Sequence, residues 1–388
     1  MTTHLSTVEK QATLSLAGIY ALRLFGLFML VPVLSLYVVT LHNTTPFLIG
    51  IALGCYGLTQ AVFQIPFGAF SDHYGRKRII ALGLLLFAAG SLIAATSHSI
   101  WGLIIGRSLQ GASAIGSATT ALLADLTTEE QRTKAMAVIG ITIGVSFSGA
   151  MVLGPLLNGW FNVPILFWLT FLFALFALFI LRQWVPDPQQ KFIPAETTET
   201  WFSLLRNKKL LRLNMGILFL HAILTANFVV LPFLLERNIA LNPKHLWYIY
   251  LPALLIALVI IAPMLRLTTK TQHLQKIYSI TIGGLIVAEL FLWQVQYSTL
   301  EFIFSLTLFF ATFTLLEALI PSSIAKIAPA HHRGSAMGIN ATFQFSGVFM
   351  GGTFAGWLLG HGQMNSTLII CTLLAAAWFL IDILKLPE

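Results

Sequence analysis

Long apolar runs alternate with short polar interruptions along the whole chain, a pattern that predicts a succession of helices each able to cross a bilayer. The runs fall near residues 14–40, 46–70, 79–97, 100–124, 134–160 and 163–185, and again near 209–235, 244–267, 274–297, 300–325, 335–360 and 362–385. A helix needs about 20 residues to cross ~30 Å of hydrocarbon, so twelve spans are expected. The stretch from Pro186 to Lys209 is the one polar interval long enough to serve as a linker. It divides the chain into an N-terminal six-helix bundle (1–185), a linker (186–208) and a C-terminal six-helix bundle (209–388). A weak repeat supports the halves. Pro32 matches Pro232, Arg132 matches Arg333, Met136 matches Met337 and Gly159 matches Gly360, at a nearly constant offset.

Composition agrees. Of 388 residues, 57% are hydrophobic and 9% charged, against roughly 25% charged in a soluble protein, so the fold class is an all-α membrane protein. The net charge of +8 does not point to nucleic acid, because the basic residues sit in short clusters between spans and line no single polar face. They report topology instead. Arg76, Lys77, Arg78, Arg132, Lys134, Arg182, Lys191, Arg206, Lys270 and Lys385 fall on one side, whereas Arg237 and Lys244 fall on the other. The positive-inside rule then places both termini and the linker in the cytoplasm, as an even span count requires. The first 13 residues show no cleavage-site pattern, so the first span is expected to stay. Cys55 and Cys371 fall inside apolar runs, where a thiol behaves as a small hydrophobe.

The loop between the second and third runs reads Gly68-Ala-Phe-Ser-Asp72-His73-Tyr-Gly75-Arg76-Lys77-Arg78. It resembles the signature of the major facilitator superfamily, Gly-x-x-x-Asp-(Arg/Lys)-x-Gly-(Arg/Lys)-(Arg/Lys), with His73 in place of one basic residue. The resemblance implies twelve transmembrane helices in two six-helix pseudo-repeats, with a substrate site between the halves near the midplane. Arg107-Ser-Leu-Gln110-Gly111 in span four is similar to a second motif, in which a buried arginine is associated with proton coupling. Gly140, Gly144, Gly149 and Gly154-Pro155-Leu-Leu-Asn158-Gly159 in span five resemble the antiporter motif of drug:proton exchangers. Residues 22–34 and Leu316-Glu317-Ala-Leu-Ile-Pro321-Ser resemble the YajR-type group of those exchangers, whose members carry a small soluble C-terminal domain; here the chain stops after its twelfth span.

The resemblance implies roles that residue chemistry also permits. A helix end carries free backbone groups and a partial dipole charge. Asp72 is therefore expected to cap the N-terminus of span eleven near Ser335, while Arg76 pairs Asp125, giving a conformational latch of Gly68, Asp72, Gly75, Arg76, Lys77, Asp125 and Arg132. Arg76 to Arg78 also fix orientation. Arg23 and Arg107 lie inside spans, where each costs ~3 kcal/mol unless a partner or water receives it. Arg107 is expected to face the cavity with Gln110 beside it and Gly111 allowing close helix approach. For both arginines the alternative is a tie to backbone carbonyls. Glu317 is the best placed proton carrier, and His221 can also titrate. Glu289 and Asp382 belong to peripheral spans, where structural roles are expected. The span-five glycines serve packing, a hinge at Pro155, or both.

The expectation is therefore a proton-coupled exporter of a small organic compound in a bacterial cytoplasmic membrane, with lipid, protons and substrate as partners and the monomer as its unit. A proton-coupled importer of an anionic solute is the alternative, followed by a membrane sensor. The chain has no Gly-x-x-x-x-Gly-Lys-(Ser/Thr) loop and so gives no sign of ATP use. It has no His-Glu-x-x-His motif and no credible nucleophile triad, which argues against an enzyme. No cofactor or metal is implied.

Overall fold

The computed structural model describes residues 5–187, 200–268, 274–295, 298–329 and 332–383, and their regular structure is helical. The N-terminal half holds α1 (Thr7–Val38), α2 (Pro46–Tyr74), α3 (Arg76–Thr96), α4 (Ile100–Ala112), α5 (Gly116–Asp125), α6 (Glu129–Trp160) and α7 (Val163–Gln183). A short α8 (Thr200–Arg206) leads to the C-terminal half, with α9 (Lys208–Ile239), α10 (Trp247–Thr268), α11 (Leu274–Gln294), α12 (Thr299–Ile327), α13 (Arg333–Gly360) and α14 (Met364–Ile383). Residues 188–199 of the expected linker, Lys191 among them, lie outside the described residues, as do Lys270 and Lys385.

Local chemistry sets the helix ends. The Ser6 hydroxyl accepts the Glu9 N–H, and the Ser6 N–H donates to the Glu9 carboxylate at 2.9 Å, a capping box. The other Glu9 oxygen takes the Thr128 N–H at 2.8 Å and the Thr128 hydroxyl at 2.9 Å, just before α6. This pinning explains why α1 begins seven residues before the apolar run does. Thr45 caps α2 with Pro46 at the first helical position. A single residue, Gly75, separates α2 from α3, and its φ of +96° is a conformation that L side chains rarely adopt.

Ten of the described helices are long and apolar enough to cross a membrane. The other two expected spans are present in altered form. The fourth is split at Ser113–Ile115 into α4 and α5, neither of which is long enough alone. The eleventh, α13, carries Asn340 and Gln344 among its glycines and is too polar to qualify. Its position explains the departure, for α13 packs along α2 of one half and α9 of the other and is shielded from lipid on both flanks. A helix sandwiched in protein needs no continuous apolar girdle.

The halves meet through glycines. A Cβ added to Gly50 would lie 2.0 Å from the Gly352 carbonyl oxygen; one on Gly57 would lie 2.5 Å from that of Phe345. Small residues let two backbones approach without a side chain between them. A Cβ on Gly159, at the end of α6, would likewise lie 2.6 Å from the Lys244 carbonyl oxygen before α10. All these contacts lie in the half of the seam away from the linker. Toward the linker face, Gly68 packs on Ser117 of its own half, and a Cβ on Gly334 or Gly338 of α13 would meet nothing within 4 Å.

The glycines of α6 do not act alike. A Cβ on Gly154 would fall 2.0 Å from the Met29 carbonyl oxygen of α1, whereas Gly140 and Gly144 have nothing within 4 Å. The helix continues through Pro155. Gly154→Ala should therefore overpack two backbones at a cost of about 1–3 kcal/mol. Gly140→Ala should stay within about 1 kcal/mol of the parent or gain slightly by removing a flexible residue. Thermal unfolding of the two purified variants checks this, and equal shifts in Tm would contradict it.

Candidate functional site between the halves

In the N-terminal half, polar groups gather at the break between α4 and α5. An unwound turn inside a span frees backbone groups that lipid cannot satisfy. The Ser113 hydroxyl donates to the Gln110 carbonyl at 2.5 Å, and the Ile115 N–H donates to the Ser113 carbonyl at 2.7 Å. Arg23 of α1, 3% exposed, supplies the rest: its Nη2 donates to the Ser113 carbonyl at 3.0 Å, to Gln60 Oε1 at 2.8 Å and to the Tyr56 hydroxyl at 3.1 Å. Its Nη2 thus joins α1 to α2 and to the unwound turn.

Arg107 of α4 is also 3% exposed. Its Nη1 donates to Gln110 Oε1 at 2.9 Å, and the Gln110 amide passes the chain on to Ser91 of α3 at 2.8 Å. The guanidinium carbon stands 5.0 Å from the centre of the Tyr56 ring, a cation–π distance. Gly111 makes this possible, because a Cβ there would meet the Tyr56 carbonyl oxygen at 2.2 Å, so α4 and α2 lie almost in backbone contact. Tyr56 therefore joins both arginines, one at its hydroxyl and one at its face. The Nε of each has no hydrogen-bond partner.

The C-terminal half answers with an acidic group. Gln344 of α13 donates its amide to Glu317 Oε1 of α12 at 3.1 Å and stands 2.9 Å from His221 Nε2 of α9. Its two amide hydrogens serve both if the His221 proton resides on Nδ1, which faces the Ile217 carbonyl at 3.2 Å. Glu317 Oε2 lies 3.6 Å from His221 Nε2 and has no hydrogen-bond partner. Aromatic rings close the space between the two polar groups. Phe345, beside Gln344, meets Tyr56 edge-on at 5.9 Å, and Phe313, one turn before Glu317, stacks on Phe147 of α6 at 5.5 Å.

The charged loop forms an ion cluster within its own half. Arg76 pairs Asp125 through Nε and Asp72 through Nη1, the latter at 2.5 Å, which ties α2, α3 and α5 together. Lys77 holds the Val185 carbonyl at 2.9 Å and Asp187 at 2.8 Å, and Arg132 donates to the Ala124 carbonyl at the C-terminus of α5. The expected bond from Asp72 to α13 near Ser335 is not formed: α13 starts after His332 with no side-chain cap, and Asp72 turns to Arg76 instead. At that end of α13 a Cβ on Gly334 or Gly338 would meet nothing within 4 Å.

Asp382 and Glu289 pair within the C-terminal half. Asp382 of α14 holds Arg212 of α9 and takes the Ser279 hydroxyl at 2.5 Å. Glu289 of α11, 0% exposed, accepts from Asn227 of α9 at 2.7 Å. Sequence reasoning missed Tyr56, Gln60 and Gln344. Gln60 and Gln64 stand four apart in an apolar span and bond each other at 3.0 Å, so that spacing was a usable signal; Tyr56 offered none.

The Major Facilitator Superfamily profile matches residues 16–352. The chain is 42% identical to the inner membrane transport protein YajR of Escherichia coli, over 95% of its own length and 82% of that protein's. It is 26% identical to multidrug resistance protein 2 of Bacillus subtilis, over 86% and 85% of the two lengths. Among solved structures, a bacterial homologue of the human lysosomal transporter Spinster superposes with a TM-score of 0.77 at 13% identity, covering 98% of each chain. Twin helical bundles, the charged loop after α2 and these likenesses agree: the chain belongs to the major facilitator superfamily and is a multi-pass membrane transporter.

Proposed function

We propose that the chain exports a small organic compound across a bacterial cytoplasmic membrane in exchange for protons, working as a monomer with both termini and the linker in the cytoplasm. One observation carries this reading: an acid, an amide and a histidine, Glu317, Gln344 and His221, meet at the place where the halves touch. Rocking the halves changes what surrounds such a carboxyl group, and a changed environment loads or releases a proton. The relatives support a transporter, and some are named for multidrug resistance. The basic residues of the linker face support the orientation.

Alternating access supplies the mechanism. In this state the halves are joined through glycines away from the linker and are loose toward it, which on the proposed topology admits solute from the cytoplasm. Closing that face brings the start of α13 to Asp72, whose carboxylate then caps the helix while Arg76 and Asp125 brace it. Two packings of one seam, a few kcal/mol apart, are the bistable element that transport needs.

Everted membrane vesicles carrying the protein, energised and loaded with a proton-sensitive dye, test the exchange against a broad panel of organic compounds. Addition of a substrate should release the proton gradient. Glu317→Gln should lose at least about tenfold of that response, while Glu289→Gln should keep it; equal responses from both variants would remove Glu317 from coupling. The latch has its own test. Cysteines at Tyr74 and Gly334 should crosslink in the closed state, and Asp72→Asn should reduce that crosslink, whereas an undiminished yield would show that Asp72 holds nothing.

A further inference from the structure

Two guanidinium groups share one tyrosine inside the N-terminal half, and nothing there carries the opposite charge. Every acid of that half, namely Glu9, Asp72, Asp125, Glu129, Glu130 and Asp187, lies at or near the linker end of a helix. The partners of Arg23 are the Tyr56 hydroxyl, Gln60 and the Ser113 backbone carbonyl, and the partner of Arg107 is the Gln110 side chain; none is charged. A buried cation in a membrane protein ordinarily pairs with an acid or with backbone carbonyls. Arg23 has such a carbonyl at Ser113, whereas Arg107 is met only by a side-chain amide, and neither has an acid beside it. Each guanidinium also keeps its Nε proton unused in a fully buried position. On Arg107, whose bond to Gln110 uses Nη1, the Nε edge has the geometry that takes a carboxylate or phosphate in two parallel bonds, and the Nε of Arg23 offers one further donor beside it.

The surroundings define the rest of the ligand. Arg23 stands 5.5 Å from the centre of the Phe87 ring, Arg107 stacks on Tyr56, and Tyr56 meets Phe345 across the seam. Aromatic faces beside a cation pair accept a flat apolar body joined to a charged head. The acid across the seam, Glu317, opposes such an anion and so favours its departure once the halves close around it.

We infer that the exported compound is an organic anion, its carboxylate, sulfonate or phosphate held by Arg23 and Arg107 beside Tyr56 and its apolar part lying between Tyr56 and Phe345. This rests on the exporter reading above and names its substrate class. Both arginines are 3% exposed, so the anion enters as the contact between Tyr56 and Phe345 opens. Binding and rocking are then one event.

Equilibrium binding without any proton gradient tests the inference apart from exchange. The purified full-length protein in lipid nanodiscs is titrated calorimetrically with aromatic and aliphatic carboxylates, sulfonates and phosphate esters, each matched to its neutral amide or alcohol and its amine isostere; 2-naphthoate, 2-naphthamide and 2-naphthylmethylamine are one such set. At least one anion should bind about tenfold or more tightly than both isosteres, and Arg107→Gln and Arg23→Gln should each weaken it by about tenfold or more. The Lys variants at both positions keep the charge and serve if a Gln variant fails to fold; they should retain part of the affinity. Preference for the amines, no binding by any anion, or binding undiminished by the Gln variants would overturn the inference. Anion binding with no proton-linked flux would instead leave the substrate class standing and remove the exchange.

Discussion

Hydrocarbon offers no hydrogen bonds, so every charge and every freed backbone group inside this molecule must find its partner within the protein. The break in the fourth span shows how much follows from that. Unwinding Ser113–Ile115 would strand carbonyl groups in lipid, and Arg23 answers them from α1 while Gln60 and Tyr56 hold the same guanidinium from α2. One side chain thus stitches three elements together. In doing so it fixes Tyr56, and Tyr56 carries Arg107 on its face.

The same constraint explains where the polar side chains of α13 can stand. Between α2 and α9, α13 can afford Asn340 and Gln344 because protein, not lipid, covers those faces. Asn340 donates to Asn214 of α9 at 3.1 Å, and Gln344 bridges Glu317 and His221. On its other side, glycines admit the backbone of α2. Gly347 and Gly351 also press α13 onto the Leu218 and Ala222 carbonyls of α9, so α13 is held to its own half by close backbone packing and hydrogen bonds, and to α2 through glycine packing. That is a physical basis for moving one bundle against the other as a rigid body.

Hydropathy and charge placement were enough for the span positions, because lipid makes each run of apolar residues an independent signal. The spacing of Arg107, Gln110 and Gly111 puts the amide beside the guanidinium and the glycine against α2, two contacts that follow from one helix face. The break at Ser113–Ile115 was not legible: Ser-Ala-Ile holds no proline or glycine, and what stabilises it is an arginine 90 positions away. Gly140 and Gly154 look alike in sequence, yet their difference lies wholly in what stands opposite, open space or the Met29 carbonyl. The bond expected from Asp72 to α13 gives way here to the pair with Arg76. A sequence specifies both states at once, and a single contact read from it carries no label saying which.

The two ends of the seam are built from different chemistry, and that difference bears on how the states balance. Away from the linker, glycine backbones pack against each other with no charge between them. This contact depends on dispersion and close fit, which salt does not screen. At the linker face, the groups available for closure are Asp72, held by Arg76, and the free N–H groups at the start of α13. Such a contact is electrostatic, exposed to water and sensitive to ionic strength. A closed linker face of this kind would set a charged contact at one end of the seam against a dry one at the other. It would also let a charged solute, bound among Arg23, Tyr56 and Arg107, tip the balance through the aromatic contact that joins the halves at their centre.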